Sequence, residues 1–241
     1  MEAIRAQTKM EMLLTLRRGE GVLITLIVPI VLLVFFSLIG LKPDGYERSI
    51  DFLLPGMLAL AVMSSALVSL SIRTAYERSY GVLKRLGSTP LSRPQLLIAK
   101  IISVVILELV EIVLLVLIAA FAYDWRPTGA FPLAILALIL GTAVFSGIGL
   151  LMAGALRAET TLAGANTLYL LFLLLGGIVW PVEDLPGPLS WPARLLPSSA
   201  FADALRETLS QTPSFPLVSL LILLAWGVLA LVIAARTFRW E

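Results

Sequence analysis

The chain has 241 residues, 59% of them hydrophobic and only 14% charged, with a net charge of +2. A soluble domain carries roughly 25% charge and about 45–50% apolar residues, so an ordinary water-soluble fold is excluded. With no cysteine and no histidine, the chain offers no disulfide, no thiolate metal site and no imidazole base.

The apolar residues fall in long, nearly uncharged runs, each close to the ~20 residues a helix needs to cross a bilayer. Barrel strands would be about half that length and would alternate in polarity. The sequence therefore reads as an all-α membrane protein, its backbone polar groups satisfied within helices.

Residues 2–18 read as a sided helix. Ala3, Ala6, Met10, Leu13 and Leu14 recur at helical spacing, and Arg5, Lys9 and Arg17 take other faces. Such a helix can lie in the headgroup layer, apolar side down; a soluble amphipathic helix is the alternative. It is not a cleavable signal, because the apolar run that follows is too long and lacks a small-residue cleavage site.

Six spans are expected, at about 22–40, 52–72, 97–122, 131–156, 161–180 and 215–235, in a single domain of residues 1–241. Span two carries Ser64, Ser65, Ser69 and Ser71. Span four carries small residues four apart, Ala143 with Gly147 and Gly149 with Ala153, a spacing that lets helices approach closely. A four-residue polar link, Arg157–Thr160, separates spans four and five. Of the 18 Lys and Arg residues, 13 fall on one side: the N-terminus, residues 73–100, Arg157 and the tail. That side is expected to be cytoplasmic, with both termini inside. The basic pI is thereby assigned to topology, and nucleic acid is not an expected partner.

Residues 73–96 are the most informative polar segment. A short helix is expected over 74–86, ended by Gly87 and followed by a Thr89–Pro90 turn. It mixes Tyr76, Tyr80, Leu83 and Leu86 with Glu77, Arg78, Lys84 and Arg85. This composition suits a protein-docking surface, and suits equally an ordinary basic loop with interfacial tyrosines.

Glu108 and Glu111 share a helical face inside span three, about 16 and 21 Å from Leu97 at ~1.5 Å per residue. A bare carboxylate there is costly. Two readings stay open: they line a transport path, or they bond to neighbouring helices or a partner chain. Ser65, Ser69, Asn166 and Tyr169 are further cavity candidates. Residues 181–214 form a long Pro- and Trp-rich segment with a helix at Ala200–Leu209, on which Asp203 and Glu207 share a face. Trp180 and Trp191 suit an outer interface. No catalytic constellation is visible, and no Gly-x-x-x-x-Gly-Lys-Ser/Thr phosphate loop occurs in the sequence.

The stretch Glu77-Arg78-Ser79-Tyr80-Gly81-Val82-Leu83-Lys84-Arg85-Leu86, followed by Ser88-Thr89-Pro90-Leu91-Ser92-Arg93, resembles the loop between the second and third spans of ABC-2 type transporter permeases. Val82 departs from the threonine common there. Gly176-Gly177-Ile178-Val179-Trp180-Pro181, Leu185-Pro186, Leu195-Leu196-Pro197 and Ala204-Leu205-Arg206 resemble that family's external segment between its last two spans.

The resemblance implies a non-enzymatic exporter subunit for a hydrophobic or amphipathic compound, with a lipid-linked glycan or polysaccharide as the alternative cargo. An ATPase-independent channel or scaffold is the alternative from another class. It further implies two separate ATPase subunits carrying ATP and Mg, a second permease copy, and a bacterial plasma-membrane location. No cofactor or metal is expected in this chain. The N-terminal helix would be the family's interfacial helix. Tyr76, Glu77, Arg78, Tyr80, Gly81, Lys84 and Arg85 would form a coupling helix seated on the ATPase. Spans two and five would flank the substrate path. A re-entrant external helix pair would cap it, with Pro181, Pro197, Asp203 and Glu207 at the external gate.

Overall fold

The computed structural model describes residues 2–17, 19–43, 45–88, 92–126, 129–210 and 212–237. Among them there is no β-strand, and the elements follow one another as helices. The Thr89–Pro90 turn and the tail residues Arg239 and Trp240 lie outside the described residues.

Helices α1 (Glu2–Arg17) and α2 (Gly19–Leu38) are followed by α3 (Ser49–Val62), a π-helical stretch (Met63–Ser69) and α4 (Leu70–Ser79). The last three form one continuous rod, Ser49–Ser79. After α5 (Val82–Gly87) come α6 (Arg93–Tyr123), α7 (Phe131–Ala155) and α8 (Ala158–Leu175). A 3₁₀ turn at Val182–Asp184, α9 (Gly187–Arg194) and α10 (Pro197–Leu209) lead to α11 (Leu217–Thr237).

Five helices among the described residues are long and apolar enough to cross a membrane: Ser49–Ser79, Pro94–Tyr123, Phe131–Ala155, Ala158–Leu175 and Leu217–Thr237. The apolar part of α2, Thr25–Leu38, is shorter. The expected first span corresponds to α2, a 20-residue helix over Gly19–Leu38, and the other five expected spans have counterparts among these helices.

The Ser49–Ser79 rod is the core, with 83% of its most apolar window buried, against 22–33% for α6, α8 and α11. Helix α7 packs on the rod and most extensively on α11. Its small residues carry those contacts, as the spacing in span four implies. A Cβ on Gly149 would meet the Ala66 carbonyl at 2.8 Å, and one on Gly147 would meet the Ala230 side chain at 2.9 Å. Close approach of this kind needs glycine.

Several expected boundaries shift. Span two runs two turns further, to Ser79, and the helix expected over 74–86 is broken at Tyr80–Gly81. Gly81 adopts φ +70°, a left-handed conformation that interrupts a helix. Helix α6 begins at Arg93, because Ser92 and Gln95 form a capping box in which the Gln95 side chain accepts from the Ser92 N–H at 2.9 Å. The four-residue link shrinks to Leu156 and Arg157, since Ala158–Thr160 are already helical. Span five ends at Leu175, where Gly176 and a left-handed Gly177 (φ +66°) turn the chain.

The face that α1 turns toward the bundle is polar, a side to which the sequence pattern gives no assignment. Met10, Leu13 and Leu14 are exposed, whereas Glu11 is 1% exposed against α6. A carboxylate is drawn inward by the cations described below.

Candidate functional site: two polar clusters, a hairpin tip and a gate segment

At the end of the bundle that holds α1 and α5, four charges meet in a buried group. Lys100 of α6, with no exposed surface, donates to Glu11 of α1 at 2.8 Å and to Glu77 of α4 at 2.5 Å. Arg73 of α4 lies 3.5 Å from the Glu11 carboxylate and 4.0 Å from that of Glu77, and donates to Ser103 at 3.4 Å and to Thr15. Two cations and two anions therefore neutralise one another away from water. Burial raises the Glu11 pKa, but the charges of Lys100 and Arg73 and hydrogen bonds from Lys100 and Gln7 outweigh it, and the carboxyl sits below its ordinary value.

Glu77 and Arg78 thus differ from the outward-facing pair that the resemblance implied. Glu77 is 9% exposed inside this group. Arg78 turns to the last carbonyls of α7, donating to Gly154 at 2.5 Å and to Leu156. The hairpin tip beyond them is open. Tyr80, Val82, Lys84 and Arg85 are exposed, Tyr76 and Gly81 are half-buried, and Leu83 is buried beneath. The Tyr76 and Tyr80 rings lie 5.9 Å apart.

The second cluster lies midway along the helices. Ser65 donates to both oxygens of Glu111, at 3.0 and 2.8 Å, and Thr25 of α2 adds another hydroxyl. Thr142 of α7 donates to Glu108 at 2.6 Å. Both carboxylates are nearly fully buried. Of the two readings left open above, bonding to neighbouring helices describes this geometry. The π-helical stretch holds Ser65 in this cluster, and Ser69, at its end, is half-buried.

Tyr169 lies within electrostatic reach of Glu111, whereas Asn166 bonds within its own helix. Asn166 is exposed and donates to the Leu162 carbonyl of its own helix at 2.8 Å. Tyr169 is half-buried.

At the opposite end, α10 is buried among α3, α7 and α11. Its Arg206 is 8% exposed and donates to the Gly177 and Ile178 carbonyls at 2.5 and 3.1 Å, and to Asp203 at 3.4 Å. Its guanidinium also lies 3.9 Å from the centre of the Phe52 ring. Burial pulls the Arg206 pKa down, with Asp203 opposing; burial pushes Asp203 up, with Arg206 opposing. Gly56 permits this approach, since a Cβ there would meet the Ile178 carbonyl at 2.5 Å.

A cavity of about 280 Å³ opens here between Tyr46, Phe52, Pro181, Glu183, Asp184, Asp203 and Arg206. Pro197 is buried in the first turn of α10. The paired face expected of Asp203 and Glu207 is divided: Asp203 serves Arg206, and Glu207 accepts from Ser214 at 2.9 Å.

The sequence profile of the ABC-2 type transporter family matches residues 2–210. The chain belongs to the ABC-2 type transporter family. Among its relatives is YvfS of Bacillus subtilis, named for a transport permease, 28% identical over 97% of this chain and 96% of that protein. YbhR of Escherichia coli, named for a multidrug ABC transporter permease, is 25% identical over 73% of this chain and 49% of its own length. ABC transporter G family member 20 of Dictyostelium discoideum is 26% identical over 78% of this chain and 26% of its own length. The ABC-2 chain is thus an integral membrane transporter component with several apolar helices.

Sequence reasoning missed Glu11, Arg73, Lys100, Thr142 and the inward role of Arg206. A signal existed for two of them. Glu11 lies one helical turn past Gln7 among the uncharged Ile4, Thr8, Leu14 and Thr15, and Lys100 stands inside an apolar run with Glu77 the nearest carboxylate before it.

Proposed function

We propose that this chain is the membrane subunit of an ATP-driven exporter that moves a hydrophobic or amphipathic compound out of the cytoplasm or the inner leaflet. The observation that carries this reading is the hairpin tip. At the end of the most deeply buried rod, Tyr80 is exposed just before Gly81, and α5 presents Val82, Lys84 and Arg85 to the surroundings just after it. A push on that tip acts directly on the core of the bundle. The sequence as given carries no phosphate loop, so ATP and Mg are assigned to two ATPase subunits on separate chains.

In this reading α2 provides a sixth span, the hairpin end and both termini face the cytoplasm of a bacterial cell, and α1 lies in the inner headgroup layer. Its exposed Met10, Leu13 and Leu14, beside Lys9 and Arg5, suit that position. A second permease copy completes the translocation path, and α9 and α10 with Pro181, Pro197, Asp203 and Glu207 form its outer gate. The names of the multidrug permease relatives favour a drug- or lipid-like cargo over a glycan.

The test is co-purification followed by transport. The tagged chain should retain an ATPase subunit, and reconstituted vesicles should move a fluorescent amphipathic dye only with ATP. Lys84→Glu with Arg85→Glu should lower the ATPase retained per permease at least about tenfold, the scale expected for loss of two docking charges. Dye movement that needs no ATPase would favour the channel reading. ATP-dependent movement of a lipid-linked glycan but not of the dye would favour the glycan reading.

A further inference from the structure

Glu77 and Arg78 are adjacent on α4, yet their side chains bind different neighbours. Glu77 joins Lys100 of α6 and, through that lysine, Glu11 of α1. Arg78 joins α7. Its two terminal nitrogens donate to the carbonyls of Gly154, in the last turn, and of Leu156, the residue that ends the helix. Helix ends leave such carbonyls without intrahelical partners, and a cation there also suits the negative end of the helix dipole. The planar fork of a guanidinium can serve two acceptors at once, which an ammonium does not do with the same geometry.

The place of these carbonyls matters. Leu156 and Arg157 are the two residues between α7 and α8, so Arg78 grips the corner joining those helices. Three residues on, Gly81 turns left-handed, and a Cβ there would meet nothing within 4 Å. The backbone between α4 and α5 therefore turns at an unpacked glycine. Displacement of α5 reaches the rest of the bundle through its buried Leu83 and through what holds the end of α4.

Resting on the exporter reading above, we infer that Arg78 is a positioning residue that delivers movement of the hairpin tip to the α7–α8 corner, and is not a contact with the ATPase. This reverses the role that the motif resemblance gives to it. Glu77 supplies the matching tie on the other side, to α6 and α1. The tip moves as a lever fixed at two points, and each tie recruits a different pair of helices.

The test uses the whole permease co-expressed with its ATPase subunit. Two quantities are measured: ATPase retained per permease, and dye transported per ATP hydrolysed in vesicles. Arg78→Gln should leave retention unchanged and lower transport per ATP by about tenfold, the scale of one coupling interaction; Arg78→Lys should recover part of it. The chain has no cysteine, which allows a direct rescue. Arg78→Cys with Leu156→Cys, bridged by a short bis-thiosulfonate reagent, should regain transport per ATP relative to the same protein before bridging.

A fall in retention for Arg78→Gln makes Arg78 a docking residue and overturns the inference. So does unchanged transport per ATP, or a bridged pair that gains nothing. Should the glutamine variant not fold, the comparison before and after bridging decides alone. A wild-type chain that retains no ATPase overturns the functional reading instead; a coupled wild type with a coupled glutamine variant overturns this inference only.

Discussion

The Lys100 ammonium lies 2.5 Å from the Glu77 carboxylate and has no exposed surface at all. With Glu11 and Arg73 it forms a neutral group that joins α1, α4 and α6. A buried pair contributes little net stability against a well-packed apolar substitute, but removing one partner strands the other charge.

Lys100→Met should therefore destabilise the chain by about 3–5 kcal/mol, because Glu11 and Glu77 lose the cation they share. Adding Glu77→Gln to that variant should recover part of the loss. Thermal unfolding of the detergent-solubilised protein, followed by tryptophan fluorescence, measures both. A single variant as stable as the wild type would show that the carboxylates find other partners.

The pH dependence follows from Glu11. Its folded pKa lies below the ordinary 4.5, so its contribution is fully present above pH 4.5. It is lost as the pH falls through the lower, folded value. Melting temperature should accordingly drop on acidification below about 4.5, near the carboxylate's unperturbed range. Glu11→Gln should flatten that part of the profile, and a parallel profile would place the acid lability elsewhere.

In the mid-bundle cluster, Ser65→Ala takes the only hydroxyl that touches both oxygens of Glu111 among the hydrogen bonds described above. Thr142→Val removes the donor to Glu108 while keeping shape. Each should cost about 1 kcal/mol, within the range for a buried hydrogen bond to a charged or polar partner. The measurement is again thermal unfolding. Transport per ATP lost without any change in melting would instead put these carboxylates in the cargo path.

Glycine positions divide sharply. A Cβ on Gly141 would sit 2.5 Å from the Phe201 ring, whereas one on Gly187 meets nothing within 4 Å. Gly141→Ala should destabilise by about 1–3 kcal/mol through overpacking, and Gly187→Ala should be neutral. Melting curves of the two variants side by side check this. Equal behaviour would mean that α10 can withdraw from α7.

Some of this architecture was legible residue by residue. The boundaries of α7 and α11 follow from the lengths of their uncharged runs, since the cost of exposing charge or backbone to hydrocarbon acts on each helix separately. The small residues of α7 likewise announced close packing, because a missing side chain is a property of the position itself. The break at Gly81 was harder to place: Gly81 and Gly87 both stand in the segment, and composition does not say which one turns left-handed.

The partners of the charges lay beyond the reach of the sequence. Glu11 and Lys100 are 89 positions apart, and Arg78 binds carbonyls 76 and 78 positions away. Helical periodicity says which residues share a face of one helix. It does not say which neighbour that face meets. The docking of helices against one another decides that, and so decides that Glu77 and Arg78 look inward. The sequence determined the long apolar helices and the basic hairpin between Ser49–Ser79 and Pro94–Tyr123; the packing determined which of the hairpin's charges anchor it and which remain exposed, because ion pairing across helices depends on distances that only the assembled bundle fixes.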